Sequence, residues 1–428
     1  MKLIYFLITI DIEVTLLFKI LLEQEFKEDK DVNLIKNRVF MTILATDIIQ
    51  QAAIWIRNIA IMFFVMDATK GDPLAISSLN FIEYLPMFLL TFIGGIIADK
   101  YNPKKLMFLG DFFSFISFVI LGLFIKDGYI GAIFIATLIS AIVTQFSYPA
   151  SQKYFKEYVN EEDIESAIGI SQLLGSLFFV IGPFVGSYFY FTFGIHKTII
   201  IISGLFLLSI LLILTLPNTK FSVIESEGLF DDVKITFKYL KEKEILIVFS
   251  KMFFVVSFAL GIAGNLDIFL VTGRLGLDES YYQFFSGIAG VGVIIGGGIY
   301  VLISKKLNDM RILYILMGIF AFTVFFEGYS TTPVFTMILQ FVDNVIGGVL
   351  SGYVMAIITK ITDQEYLGKI NGLTSTLMYL GIMVGTILSG IVLKVSSIVV
   401  AFSLASIAFI ICTIILYKAS KKGLLKDI

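Results

Sequence analysis

The chain has 428 residues, of which 57% are hydrophobic and only 15% charged, and its net charge is −2. A soluble domain carries about 25% charged residues, so this is a membrane composition, and a near-neutral chain offers nucleic acid no attracting field. A single cysteine, Cys412, and a single histidine, His196, exclude a disulfide framework, a Cys/His metal site and a histidine-based triad. With no G-x-x-x-x-G-K-[ST] loop for ATP either, no enzyme, cofactor or metal is expected.

The opening MKLIYFLITI is similar to the start of a signal peptide, but its apolar run ends at Asp11 and Glu13 without a small-residue cleavage site. Residues 1–36 therefore read as a cytoplasmic or interfacial extension, amphipathic and then charged over 12–30. Crossing ~30 Å of hydrocarbon takes roughly 20 helical residues. Twelve segments qualify: about 39–66, 75–98, 104–125, 129–150, 164–191, 198–216, 245–272, 281–303, 311–328, 333–358, 368–392 and 396–417. The expected fold class is an all-α membrane protein of two six-helix bundles, 37–216 and 244–417, joined by a linker, 217–243, and followed by a tail, 418–428. His196 falls in the short loop between spans 5 and 6.

Basic residues set the orientation. The connections after even-numbered spans and the C-terminal tail hold 19 of them, and the opposite loops only Lys70, Lys126, Lys197, Arg274 and Lys394. Both termini and the linker are expected in the cytoplasm.

The two halves repeat. Gly94-Gly95-Ile96 recurs as Gly297-Gly298-Ile299, and Gly169 and Gly182 recur as Gly372 and Gly385. Both pairs of segments are 203 residues apart (297 against 94, 385 against 182). Such a repeat predicts a site between the bundles near the membrane midplane.

Twelve spans, the six-plus-six repeat and the loop IGGIIADKYNPKKLM (93–107) together resemble the major facilitator superfamily. That family's signature between spans 2 and 3 runs G-x-L-a-D-[RK]-x-G-[RK]-[RK]. Gly95, Asp99, Lys100 and Lys104 match it, while Asn102 and Pro103 replace the usual glycine and basic residue. This variant, the stretches 85–111 and 148–172, and Gly182, Pro183 and Gly186 in IGPFVGS resemble the branch of macrolide and drug efflux proteins. The resemblance covers 37–417. It implies alternating access by two rocking bundles, with export of a small amphipathic organic compound in exchange for a proton. The protein would be a monomer in the bilayer of a bacterial plasma membrane.

The loop would act as a gating latch. Asp99 would face a helix N-terminus, Lys100, Lys104 and Lys105 would hold opposite partners, and Asp111 would brace the cluster. A loop that merely fixes topology explains the lysines but not Asp99. The second half has Leu302 at the aspartate's position and keeps only Lys305 and Lys306, so the latch is asymmetric. Gly182, Pro183 and Gly186 let span 5 pack closely on the other bundle, as an antiporter device or as a plain packing kink.

An ionisable group in mid-span costs at least ~2.5 kcal/mol, so each needs a partner or a task. Asp47, Gln50, Gln51, Arg57 and Asn58 share a sector of about 120° on span 1, which is expected to line the cavity. Glu83 lies at a depth comparable to Arg57. Paired, it is a poor proton carrier; unpaired, it is free to exchange a proton. Asp47 either exchanges a proton or attracts a cationic substrate, and Asp343 and Asn344 are its second-half counterparts. Asp267, nearer the outer end of span 7, reads as solvated. Mid-membrane polar groups beyond span 1 look few, which favours an amphipathic substrate over a metabolite, siderophore or lysophospholipid. A non-transporting receptor or sensor would need an appended signalling domain, for which 1–36 and 217–243 are too short.

Overall fold

The computed structural model describes residues 34, 36–125, 130–218, 229–304 and 311–424. In hydrocarbon a crossing segment must satisfy its own backbone groups, and the apolar runs are accordingly helical. The first four are α1 (Arg38–Ala68), α2 (Pro73–Lys100), α3 (Pro103–Phe124) and α4 (Ile130–Tyr158). The next two form one helical stretch, Ile164–Thr215, broken at Gly194, where φ is +69° and ψ is 169°. Its arms are α5 (164–193) and α6 (195–215). This backbone conformation is open only to glycine, so one residue turns the chain. His196 lies in the first turn of α6 and not in a loop, because the loop has shrunk to Gly194.

The second half comprises α7 (Glu244–Phe269), α8 (Tyr282–Ile303), α9 (Arg311–Tyr329), α10 (Pro333–Ile361), α11 (Gln364–Val395) and α12 (Ile398–Lys421). Within the linker, Leu229–Glu242 forms a helix. It is pinned to the α10–α11 turn by Tyr239 Oη, which donates to Asp363 Oδ2 at 3.0 Å, and by stacking of Tyr239 on Tyr366. Residues 1–33, the greater part of the expected extension, lie outside the described residues.

Local chemistry fixes the helix starts. Asn37 and Asp72 accept from free N–H groups of α1 and α2, and Pro73 occupies the first position of α2. Asn102 accepts from Lys105 N at 3.2 Å, with Pro103 as the first residue of α3. The departure at 102–103 from the usual loop signature is therefore a capped helix start.

The 203-residue offset holds for packing partners too. A Cβ on Gly182 would lie 2.4 Å from Trp55 of α1, and one on Gly385 would lie 2.1 Å from Phe258 O of α7, 203 positions after Trp55. Likewise a Cβ on Gly94 would meet Gln145 O at 2.2 Å, and one on Gly348 would meet Gly297 N at 2.8 Å. Small residues thus let α5 seat on α1, α11 on α7, α2 on α4 and α8 on α10.

This corrects one expectation. Gly182 and Gly186 make room for Trp55 and Ile59 of their own bundle, not for the other bundle. Close approach between bundles comes from α8, where a Cβ on Gly290 would lie 2.6 Å from Phe179 O and one on Gly287 would lie 2.3 Å from the Phe184 ring, and from α11, where one on Gly390 would lie 2.2 Å from Ser77 Oγ of α2. The bundles are also joined on the face remote from the linker. There Asn80 and Ser77 of α2 meet Asn265 of α7, Phe63 meets Tyr282, and Lys394 Nζ lies 3.3 Å from Asp72 Oδ2.

Candidate functional site

Polar residues of α1 divide between two cavities. The first, about 390 Å³, is lined wholly by the N-terminal bundle. Asp47 accepts there from Ser151 Oγ and Ser171 Oγ, each at 3.3 Å. Gln50 Nε2 donates to both carboxylate oxygens of buried Asp111 at 2.8 and 2.9 Å, and Ser209 Oγ donates to Asp111 Oδ2. Asp111 was expected to brace the loop; it faces inward because Gln50 and Ser209 supply the donors that a buried carboxylate needs. Gln51, Thr144, Ser147, Tyr148 and Gln172 add to the polar lining, which among the described residues contains two carboxyl groups and no Lys, Arg or His. α3, α4 and α5 therefore add several polar groups that the sequence did not lead us to expect.

The second cavity, about 250 Å³, lies between the bundles and is lined by Asn58, Asn80, Glu83, Tyr84, Asn265 and Tyr282 among others. Arg57, 3% exposed, fills the protein behind it. Its Nη2 lies 2.6 Å from Glu83 Oε1, its Nη1 donates to Ser140 Oγ at 2.7 Å, and its Nε and Nη2 donate to Asn58 Oδ1 at 2.8 and 2.6 Å. Asn58 Nδ2 also reaches Glu83 Oε1 at 3.2 Å. Of the two alternatives for Glu83, the structure has the pair. Trp55 lines this cavity and Phe179 the other; their rings meet edge-to-face at 5.5 Å and form the partition.

Asn265 closes the second cavity. Its Nδ2 donates to Ser77 Oγ at 2.8 Å and Ser389 Oγ at 2.7 Å, and its Oδ1 accepts from Asn80 Nδ2 at 2.7 Å. Each such bond contributes about 1 kcal/mol, so Asn265→Ala is expected to loosen this closure. A cysteine placed by Ile76→Cys in a Cys412→Ala chain is expected to react at least several-fold faster with a thiol reagent when Asn265→Ala is added. Equal labelling rates would show that Asn265 does not hold the bundles together.

Asp343 and Asn344 line neither cavity. Asp343 is buried and accepts from Thr323 Oγ1, and Asn344 Nδ2 donates to Gln340 O at 2.8 Å. Asp267 is not simply solvated: it is half-buried and lies 3.4 Å from Gln340 Nε2, which also donates to Glu327 Oε1 at 2.7 Å. Sequence reasoning passed over Glu327, Gln340, Asn80 and Asn265; the available signal was their polarity within apolar runs.

A model of the Major Facilitator Superfamily matches residues 40–326 and 262–426, nearly the whole described chain. The chain belongs to this superfamily. It is 25% identical over 360 residues to the uncharacterized MFS-type transporter YkuC of Bacillus subtilis (strain 168), covering 81% of this chain and 83% of that protein. To macrolide efflux protein A of Streptococcus pyogenes it is 24% identical over 372 residues, 82% of this chain and 88% of the other. Solved structures share the fold. The nucleoside transporter NupG superposes with a TM-score of 0.69 at 16% identity, covering 90% of this chain and 99% of NupG. The D-xylose–proton symporter gives 0.70 at 13%, covering 89% and 97%.

In the first turn of α3, directly after the α2–α3 loop, Lys104 Nζ donates to Leu214 O at 3.2 Å and to Leu216 O, satisfying carbonyls at the end of α6. Lys100 and Lys105 are exposed. The surroundings of Gly95 and of the Asp99 side chain lie outside the described residues, as do Lys305 and Lys306. Leu302, at the aspartate's position in the second half, is exposed.

Proposed function

We propose that this multi-pass membrane protein is a secondary active exporter that moves small amphipathic organic cations outward in exchange for protons. The observation that carries this reading is the first cavity, in which, among the described residues, Asp47 is held only by two serine hydroxyls while Glu83 is already neutralised by Arg57. Asp47 is thus free to hold either a proton or a cationic substrate, and mutual exclusion at one acid couples the two fluxes. Phe179, Phe206 and Ile54 supply the apolar part of the wall. The sequence similarity to macrolide efflux protein A supports the outward direction. The basic loops support cytoplasmic termini, the relatives are bacterial, and on this reading the protein works as a monomer in the cytoplasmic membrane with the first cavity serving the cytoplasmic side.

The test is accumulation of ethidium and of a macrolide in cells lacking their own pumps. Wild type is expected to lower accumulation several-fold, an uncoupler to abolish the effect, and Asp47→Asn to remove the uncoupler-sensitive part. Export indifferent to an imposed pH gradient would refute proton exchange. A second reading, transport of a specific polar metabolite, is favoured by the amides and hydroxyls of Gln50, Gln51, Thr144, Ser147 and Gln172 in the same cavity. It predicts that neither compound is exported, while one polar solute quenches the sole tryptophan, Trp55, in the partition.

A further inference from the structure

A second group of acids lies in the C-terminal bundle and lines neither cavity. Glu327 near the end of α9 is 4% exposed, Asp343 of α10 is 3% exposed, and half-buried Asp267 of α7 completes the set. Gln340, 5% exposed, sits one turn from Asp343 on α10 and bridges Asp267 and Glu327 through its Nε2. The charged and titratable neighbours do not neutralise the group. Arg274, five residues beyond the end of α7, is spent on the carbonyl oxygens of Tyr329 and Ser330, and Tyr282 of α8 faces Asp267. α12 contributes Ser406, bonded to Ala321 O. Among the described residues no Lys or Arg is paired with any of the three acids.

Two acceptors here have no partner among the described residues, Gln340 Oε1 and Asp343 Oδ2, both buried. A buried acceptor without a donor costs about 1–3 kcal/mol, and an unneutralised buried charge costs more. Something must therefore enter and supply positive charge or donors. The geometry favours protons over a metal ion, because the amide that points at Asp267 and Glu327 is a donor, and a donor repels a cation. Among the described residues the acids also form no group able to hold a metal.

We infer that Asp267, Glu327, Asp343 and Gln340 form a proton-binding site in the C-terminal bundle, separate from the Asp47 cavity. It deepens the proton-exchange reading and rests on it for its part in transport, though not for its existence.

Infrared difference spectra of the purified full-length protein in lipid nanodiscs, recorded through a pH titration in potassium chloride, test this without any substrate. A carboxylic-acid C=O band is expected to disappear as pH rises. Glu327→Gln and Asp343→Asn are each expected to remove part of it, and Asp47→Asn to leave that part unchanged. Thr323→Val deletes the hydroxyl that bonds Asp343 and is expected to displace the midpoint by about one pH unit; this mild substitution keeps the test open should the carboxamide variants fail to fold. A band that is identical in Glu327→Gln and Asp343→Asn overturns the site, and so does a band abolished by sodium replacing potassium at fixed pH. Proton-driven dye export without the band leaves the exporter standing and removes this site. The band without dye export keeps the site and removes the exporter.

Discussion

Arg57→Ala is expected to destabilise the protein by about 3–5 kcal/mol, because it leaves the Glu83 carboxylate in the membrane without its cation. The loss exceeds that of an ordinary ion pair, since the same guanidinium also serves Asn58 and Ser140. Thermal unfolding followed by the fluorescence of Trp55, which packs on α5 next to this cluster, reads the effect. Glu83→Gln alone is expected to cost less, because an amide keeps an acceptor for Arg57 and Asn58. The double variant Arg57→Met/Glu83→Met is expected to recover most of the loss, as apolar replacements of buried pairs do. A single Arg57→Ala variant as stable as wild type, or a double variant no better than the single one, would mean that the pair is not what holds α1 to α2.

This pair was legible in the sequence because each charge stands alone in an apolar run and the two lie at similar depth in antiparallel neighbours. The cost of leaving either unpaired dictates the contact. The repeat was legible for a related reason: close helix packing needs glycine, so the 203-residue spacing of Gly182 and Gly385 also predicts where Trp55 and Phe258 sit. What a glycine does not encode is which neighbour comes close. Gly182 was read as facing the other bundle, and only the arrangement of helices places it on α1.

The burial of Glu327 and Asp267 was hidden by position. Glu327 lies near the end of α9, and Asp267 close to the end of α7, where an acid is as well served by water as by a buried partner. Their burial follows from Gln340, which is polar but uncharged and gives little signal along the chain. Asn265 was overlooked for the same reason, although one side-chain amide ties three helices together.

Gly290→Val is expected to stop transport while leaving the unfolding temperature nearly unchanged. A Cβ there meets Phe179 O at 2.6 Å, Phe179 C at 2.7 Å and Val180 N at 2.9 Å. These are backbone atoms of α5 and cannot turn aside as a side chain can, so α5 and α8 must part. Overpacking of this kind costs about 1–3 kcal/mol. The cost falls on the arrangement in which the bundles meet at α5 and α8, so it shifts the balance against that arrangement by roughly 5–150-fold. A carrier by alternating access needs both arrangements, and turnover falls with the rarer one. Gly182→Val provides the contrast, because its Cβ would strike Trp55 inside one bundle, a contact that rigid-body rocking preserves. That variant is expected to unfold earlier, at a cost of about 1–3 kcal/mol, while the folded fraction keeps transporting. If both variants lose stability and transport in parallel, the α5–α8 contact is ordinary packing; if only Gly290→Val loses transport, the bundles move against each other at this seam.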